Sequence, residues 1–126
     1  MEKNVEFVGR CKADEMIKNY LKSRIFICPS SIENSPNSLG EAQLLGTPVI
    51  ASYVGGVPDM VIHNETGLLY RFEEVEMLAE NIRTVFNNSA FSLEVSKNAI
   101  STANLRHNRQ INLKKTVDIY SEIWNS

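Results

Sequence analysis

The sequence lacks the features of membrane-spanning and nucleic-acid-binding proteins. No apolar run approaches the roughly 20 residues that a helix needs to cross a bilayer. No basic run exceeds two residues and the net charge is −2, which argues against a nucleic-acid surface because such surfaces cluster lysine and arginine. The N-terminus leads directly into a predicted strand, so we expect no signal peptide. These absences favour a soluble globular protein.

Cysteine is also scarce, with only Cys11 and Cys28 in 126 residues. Their spacing fits neither a metal site nor a disulfide-rich secreted module, so we expect a reducing, cytoplasmic setting. Cys28 lies in an apolar run and is most simply a small core residue, whereas Cys11 has no evident role. The length corresponds to one domain, or to less than one domain of a larger protein.

What the sequence does contain is an alternation of short apolar runs with segments of helical periodicity. We predict strands at Val5–Gly9, Ile25–Cys28, Pro48–Ala51 and Leu68–Tyr70, and helices at Ala13–Ser23, from Ser35–Ser38 onward, at Asp59–Ile62, at Glu73–Asn87, around Phe91–Ala103 and around Leu113–Trp124. This order predicts an α/β fold, in which a three-layer parallel sheet of about four strands is flanked by helices. Ligands of such sheets bind beyond the carboxyl ends of the strands.

The stretch Glu33–Gly46 lies between two predicted strands and holds the most informative polar residues. Glu33 lies in the loop after Ile25–Cys28, and Glu41, eight positions later, lies on the helix that opens at Ser35–Ser38. A helix N-terminus offers unpaired N–H donors to an anion, and a nearby carboxylate accepts hydrogen bonds from hydroxyls. The stretch therefore predicts a ligand with both phosphates and sugar hydroxyls.

Both glutamates also have purely structural interpretations. Ser38 and Glu41 have the spacing of a capping box, in which Glu41 bonds back to the Ser38 backbone. Alternatively, Ser35 caps the helix with Pro36 at its first position, which leaves Glu41 further inside the helix. A solvated loop acid is the simplest alternative for Glu33, for which no local partner is evident. The local pattern leaves these interpretations open.

The remaining candidates have weaker signals. His63 and His107 are isolated from other metal-ligating residues, so we expect both on the surface. Tyr120 and Trp124 recur at helical spacing, so we expect them to pack against the rest of the domain. The pair Gly55-Gly56 predicts a tight turn whose backbone borders the ligand.

Several further motifs follow one another in order around the two glutamates. They are Pro29-Ser30, Glu41-Ala42, Gly46–Ser52 (GTPVIAS), Gly55–Pro58 (GGVP) and Gly67–Leu69 (GLL). With these motifs, and with seven residues between the two glutamates, Val5–Asn87 resembles the C-terminal domain of retaining GT-B glycosyltransferases of the glycosyltransferase 4 family. The resemblance implies a Rossmann-like fold. It also implies that residues 1–126 are a partial C-terminal nucleotide-sugar-binding domain.

The resemblance assigns roles to individual residues. Glu33 would be the catalytic-site carboxylate that meets hydroxyls of the donor sugar, and Glu41 would bind the ribose hydroxyls of the nucleotide. Further donor and nucleotide contacts would come from Ser35, Asn37, Ser38 and Leu39, with backbone amides that face the sugar and diphosphate. No metal or cofactor is implied, because the nucleoside diphosphate sugar is the substrate and protein groups neutralise its phosphates. The loop sequence differs from the family's frequent Gly-Phe-Gly, which leaves the sugar preference open.

The chain lacks parts that the resembled enzymes contain. Their C-terminal domain begins with two further strand–helix units, which hold a Gly-Arg and a lysine for the diphosphate, and a separate N-terminal domain binds the acceptor. Their last helix often crosses back to that other domain, which would make Trp124 an interface residue without its partner. Gly9-Arg10 aligns with the end of the third strand and is a poor substitute. Without the first two strands, we expect either that Val5–Gly9 pairs with Ile25–Cys28 or that two copies associate through the exposed sheet edge.

These implications lead to an expected function. The parent enzyme would transfer a hexose, with retention, from a nucleoside diphosphate sugar to a glycan or lipid-linked acceptor, in the cytoplasm or at a membrane surface. This piece alone should be inactive. The alternatives are a non-catalytic nucleotide-binding or interaction module, and a GT-B epimerase or phosphorylase-like enzyme. A receiver domain is disfavoured. It would need an acidic pair after the first strand and a phospho-acceptor aspartate at a strand end, where this chain has Gly9-Arg10 and Pro29-Ser30.

Overall fold

The chain folds as an α/β protein with one parallel sheet, and the computed structural model describes residues 2–125. The strands are β1 (Phe26–Cys28), β2 (Val49–Ser52) and β3 (Leu68–Tyr70), and the helices are α1 (Ala13–Lys22), α2 (Asn37–Leu44), α3 (Val57–Met60), α4 (Val75–Asn87), α5 (Ser89–Arg106) and α6 (Arg109–Asn125), after a 3-10 turn at Glu2–Asn4. Strands and helices alternate as far as β3, and three helices follow. This order confirms the predicted α/β class.

β2 is the central strand of the sheet. It pairs in parallel with β1, where Ile27 lies opposite Ile50, and with β3, where Ile50 lies opposite Leu68. Every residue of β2 is buried. A parallel strand that is covered on both faces needs a continuous apolar sequence, which explains the run in the GTPVIAS motif.

Helices cover both faces of the sheet, so the fold has three layers. Val49 packs on one face with Leu39 of α2 and Tyr20 of α1. Its neighbour Ile50 points to the other face and packs with Val85 of α4. Successive strand residues alternate between the faces, so one short strand supplies both halves of the core.

The segment Val5–Gly9, predicted as the first of about four strands, is irregular. Its Phe7 side chain is 95% exposed, and no strand pairs with it. Within residues 2–125 the sheet is 3-stranded, and the outer edge of β1 has no strand beside it. The predicted pairing of Val5–Gly9 with β1 is therefore wrong. A β-branched and aromatic run favours an extended backbone, but only a neighbouring strand can complete its hydrogen bonds.

The last helix, α6, is present as predicted, but its apolar residues are not covered. Tyr120 is 70% exposed and Trp124 is 90% exposed, and no residue of α6 among those described is buried. The expectation that they pack is wrong, because helical spacing shows only that residues share a face. None of the described helices is long and apolar enough to cross a membrane.

Arg106, at the end of α5, connects three helices of the domain. Its guanidinium donates to the Gln43 side-chain oxygen at 3.0 Å and to the backbone carbonyls of Met60 at 2.8 Å and Asp59 at 3.3 Å. Gln43 is fully buried, and its amide donates to the same Met60 carbonyl. Burial lowers the pKa of Arg106, and the nearby Asp59 carboxylate opposes that shift. The group stays charged at neutral pH because arginine titrates far above it.

Arg106→Leu is expected to reduce the free energy of unfolding by about 2–3 kcal/mol, since charged hydrogen bonds are lost and the buried Gln43 oxygen loses its donor. Urea denaturation followed by circular dichroism measures this. Arg83→Leu is the matched control, because the exposed Arg83–Glu80 ion pair at 3.2 Å should be worth less than about 0.5 kcal/mol. Equal losses from both variants would contradict the role of Arg106.

Candidate functional site

The carboxyl ends of the three strands meet at one edge of the sheet. β1 ends at Cys28 and leads into the loop that contains Glu33, and β2 ends at Ser52 and leads into Gly55-Gly56. Ligands of parallel α/β sheets bind at this edge, so the loops here are the first place to look for a site.

The loops after β1 and β2 are packed against each other. The buried Ser52 hydroxyl lies within hydrogen-bond distance of the carbonyls of Cys28 and Ser30. Gly55 has φ +50° and lies against the Glu33 carbonyl, and Gly56 lies against the Asn34 carbonyl, so closely that a Cβ on either glycine would collide with that oxygen. The predicted turn is confirmed, and its glycines fix the backbone that holds Glu33.

Glu33 has a local partner that the sequence did not reveal. The Ser30 hydroxyl donates to its Oε1 at 3.3 Å, and the side chain is half-buried. Ser30 belongs to the Pro29-Ser30 motif, whose proximity to Glu33 was the available signal. The carboxylate is therefore oriented by the loop and differs from a freely solvated acid.

Glu41 is not part of a helix cap. α2 begins at Asn37 with Pro36 as its N-cap residue, and no side chain caps this end. Ser38 is then the second helical residue, and the Ser35 hydroxyl donates to the Met60 sulfur at 3.6 Å. Neither serine caps the helix, but Glu41 does lie inside it, as the second interpretation placed it. Glu41 instead accepts a hydrogen bond from the Tyr20 hydroxyl on its Oε2 at 3.2 Å.

The N-terminus of α2 separates the predicted donor-contact residues into two groups. Leu39 is completely buried, and its N–H already donates to the Pro36 carbonyl at 3.1 Å. Asn37 is exposed and Ser38 is half-buried. Because the first N–H groups of a helix have no intrahelical acceptor, the amides of Asn37 and Ser38 are the ones left for an anion.

A cleft of about 380 Å³ lies between α1 and α2, and Glu41 is its charged residue. Its apolar wall includes Met16, Ile17 and Leu44, and Cys11 lies at its margin. Cys11 therefore has a place beside the candidate site, although its isolated position in the sequence gave no signal. Arg10 lines a different hollow, with Lys18 among its neighbours.

Tyr20 is the residue at this site that the sequence motifs did not single out. It is 3% exposed, and burial, reinforced by the hydrogen bond and the charge of Glu41, raises the pKa of its phenol to about 12. The phenol is thus protonated at neutral pH and acts as a donor. A buried tyrosine hydroxyl needs a partner, and that requirement was the signal that could have pointed to Glu41.

The two histidines lie apart from this cleft. His63 is exposed and accepts the Leu69 N–H on its Nδ1 at 2.9 Å. His107 is exposed and lies over Gly40, where an added Cβ would be 2.7 Å from its Nε2. Both surface predictions are confirmed. No group of three or more metal-ligating side chains occurs among residues 2–125.

Comparison with known proteins shows the family. A family model described as glycosyl transferases group 1 matches residues 1–102. The chain belongs to that family. A D-inositol 3-phosphate glycosyltransferase of Corynebacterium glutamicum (strain R) is 31% identical over 103 residues, which cover 82% of this chain and 25% of the relative. The amylovoran biosynthesis glycosyltransferase AmsK of Erwinia amylovora is 28% identical over 130 residues, which cover 98% of this chain and 32% of the relative.

Solved structures of glycosyltransferases have the same fold as this group 1 chain. Sucrose-phosphate synthase of Thermosynechococcus elongatus matches with a TM-score of 0.87 and 28% identity, over 98% of this chain and 31% of that one. HepE of Anabaena, in complex with UDP, matches with a TM-score of 0.79 and 26% identity, over 92% of this chain and 33% of HepE. The chain spans about a quarter of the length of the first curated relatives that it matches.

Proposed function

We propose that this chain is the nucleotide-sugar side of a retaining hexosyltransferase. The whole reaction would move a hexose from a nucleoside diphosphate sugar to a glycan or lipid-linked acceptor. The observation that supports this most is the place of Glu41, which lines a cleft between two helices in a group 1 glycosyltransferase chain. HepE structures with UDP and with UDP-glucose support the same ligand class.

The nucleoside would occupy the cleft between α1 and α2. Tyr20 holds Oε2 of Glu41, which leaves Oε1 to accept a hydrogen bond from a ribose hydroxyl. Charge-assisted hydrogen bonds of this kind are among the stronger polar contacts in proteins. The apolar wall formed by Met16, Ile17 and Leu44 would cover the adjoining face of the base.

The diphosphate would lie before the N-terminus of α2. The amides of Asn37 and Ser38 point out of the first turn, and the helix dipole favours negative charge there. Ser35, in the preceding loop, would add a hydroxyl, and the peptide of Leu39 would complete the turn. These donors would stabilise the charge that grows on the departing diphosphate as the bond to the sugar breaks.

Glu33 would meet the donor sugar. Its carboxylate is oriented by Ser30, and its backbone is fixed by Gly55, so a hydroxylated ring would find an acceptor already in place. Such preorganisation reduces the ordering that the ligand must impose on the site.

The parts that this chain lacks would come from the rest of a longer cytoplasmic or membrane-peripheral enzyme. Basic groups for the diphosphate and the acceptor-binding domain would both lie outside residues 1–126. We expect no sugar transfer by the chain alone. The outer edge of β1, which has no strand beside it among the described residues, is where a second copy could associate.

Glu41→Ala is expected to weaken nucleotide-sugar binding by about tenfold or more, because a charge-assisted hydrogen bond of about 1.5–3 kcal/mol is removed. Saturation-transfer NMR with UDP-, GDP- and ADP-sugars, followed by titration of the one that binds, measures the change. Glu80→Ala, which removes an exposed glutamate on α4, is the control and should bind like the wild type. Binding that is equal in Glu41→Ala and wild type would contradict the ribose role.

A further inference from the structure

Tyr20 is the residue through which α1 is attached to the domain. Of the residues of α1, all of which the structure describes, Tyr20 is the buried one. Its carbonyl accepts the Thr47 hydroxyl at 2.9 Å, and its ring meets Phe26 edge-on with centroids 5.5 Å apart. Tyr20 lines the cleft between α1 and α2, where its hydroxyl donates to Oε2 of Glu41 at 3.2 Å.

The hydroxyl acts on a side chain that would otherwise be loosely held. Glu41 is exposed, and a glutamate on a helix surface samples several rotamers unless a partner selects one. The phenol of Tyr20 is fixed by the packing of its ring and carbonyl, so its hydrogen bond selects one position of the carboxylate. Cys11 is the other titratable group that lines this cleft, and no hydrogen bond joins it to Glu41 within residues 2–125.

We propose that Tyr20 is a positioning residue for the nucleotide: its hydroxyl holds Oε2 of Glu41 so that Oε1 faces the ribose. The inference rests on the proposed function, which places the ribose at Glu41. It adds that the preference for a ribonucleotide depends on a residue of α1 that does not touch the ligand. Docking of α1 against β1 and α2 would then be part of ribose recognition.

Tyr20→Phe tests this, because phenylalanine keeps the buried ring and removes only the hydroxyl. NMR titrations of the 126-residue chain would use UDP, ADP and GDP, each compared with its 2′-deoxy form. We expect the wild type to favour a ribonucleotide by about tenfold, since a hydroxyl bonded to a carboxylate is lost in the deoxy form. In Tyr20→Phe the preference should fall to about twofold, with the affinity for the deoxy form unchanged.

A structural control separates positioning from folding. Val85→Ala removes buried apolar contacts on the opposite face of the sheet and leaves the packing of Tyr20 unchanged, so it should lower the urea midpoint but keep the ribose preference. Tyr20→Phe should have no further effect on the ribose preference when Glu41→Gln is already present. The two changes act on the same contact, so their effects should not add.

Three results are distinguishable. A preference that falls in Tyr20→Phe and persists in Val85→Ala supports the positioning role. A wild-type preference that Tyr20→Phe retains in full overturns that role and leaves the proposed function standing. If the wild type binds ribo and deoxy forms equally, Glu41 does not hold the 2′-hydroxyl and the inference fails with it.

Discussion

Alanine in place of Gly55 is expected to destabilise the chain by about 2–4 kcal/mol and to displace the loop that holds Glu33. Gly55 has φ +50°, which costs an L-residue about 1 kcal/mol or more. The added Cβ would also collide with the Glu33 carbonyl oxygen, and backbone atoms cannot move aside as a side chain can; overpacking adds about 1–3 kcal/mol. Urea denaturation gives the loss of stability, and NMR shifts of Ser30 and Glu33 report the displacement.

Gly46→Ala is the matched control for Gly55→Ala. Gly46 also has a positive φ, of +75°, so the backbone strain is shared. Its added Cβ would meet the tip of the Ile100 side chain at 3.0 Å, and that tip can rotate away. We expect a loss of about 1–2 kcal/mol for Gly46→Ala, with the Glu33 loop unmoved. Equal losses and unmoved Glu33 signals in both variants would contradict the role of the Gly55 contact.

Leu39→Ala is expected to cost about 3–5 kcal/mol of stability, the largest single effect of a core truncation here. Leu39 of α2 is 0% exposed, and its side chain packs on the sheet side of the helix with Val49, Val57 and Val61. The surrounding side chains come from short strands and a short helix, so they cannot close the cavity without moving paired backbone. The loss is a large part of the roughly 5–15 kcal/mol that stabilises a typical domain.

Leu44→Ala provides the comparison on the same helix. Leu44 is exposed at the wall of the cleft, so its truncation should cost less than about 1 kcal/mol. Urea denaturation measures the free energy of unfolding of both variants, with the same dependence on urea concentration used for each. A Leu39→Ala variant as stable as Leu44→Ala would mean that α2 is not seated on the sheet as described.

The parts of the fold that the sequence predicts well are those whose signal is local. The runs that became β1, β2 and β3 are apolar and bounded by proline, glycine or polar residues. α4 has a continuous apolar stripe. β2 and β3 bury all of their residues, and α4 packs Val85, Leu78 and Ile82 of its stripe on the sheet, although Val75 and Phe86 at its ends stay exposed. Element ends shift by a few residues: α3 begins at Val57 instead of Asp59.

The failures have one physical cause, which is that a local pattern does not show whether a partner exists. Val5–Gly9 has strand composition, and Tyr120 and Trp124 have helical spacing, but strand pairing and burial depend on distant chain. Phe7 and Trp124 therefore remain in solvent.

The candidate site shows the same division between local and distant signals. The spacing of Glu33 and Glu41, and the flanking motifs, led to the family. The hydrogen bond from Tyr20 to Glu41 joins residues 21 positions apart, and no short-range rule predicts it. The capping box failed because α2 starts earlier than Ser38, so the serine is inside the helix and no longer at its boundary.

The order of strands in the sheet has a consequence for how the chain is made. β1, β2 and β3 are neighbours in the sheet in the order in which they occur in the chain. Among residues 2–125, β2 and β3 each pair with the strand synthesised just before them. The connections that must close between β1 and β2 and between β2 and β3 are therefore short, which limits the entropy cost of each pairing.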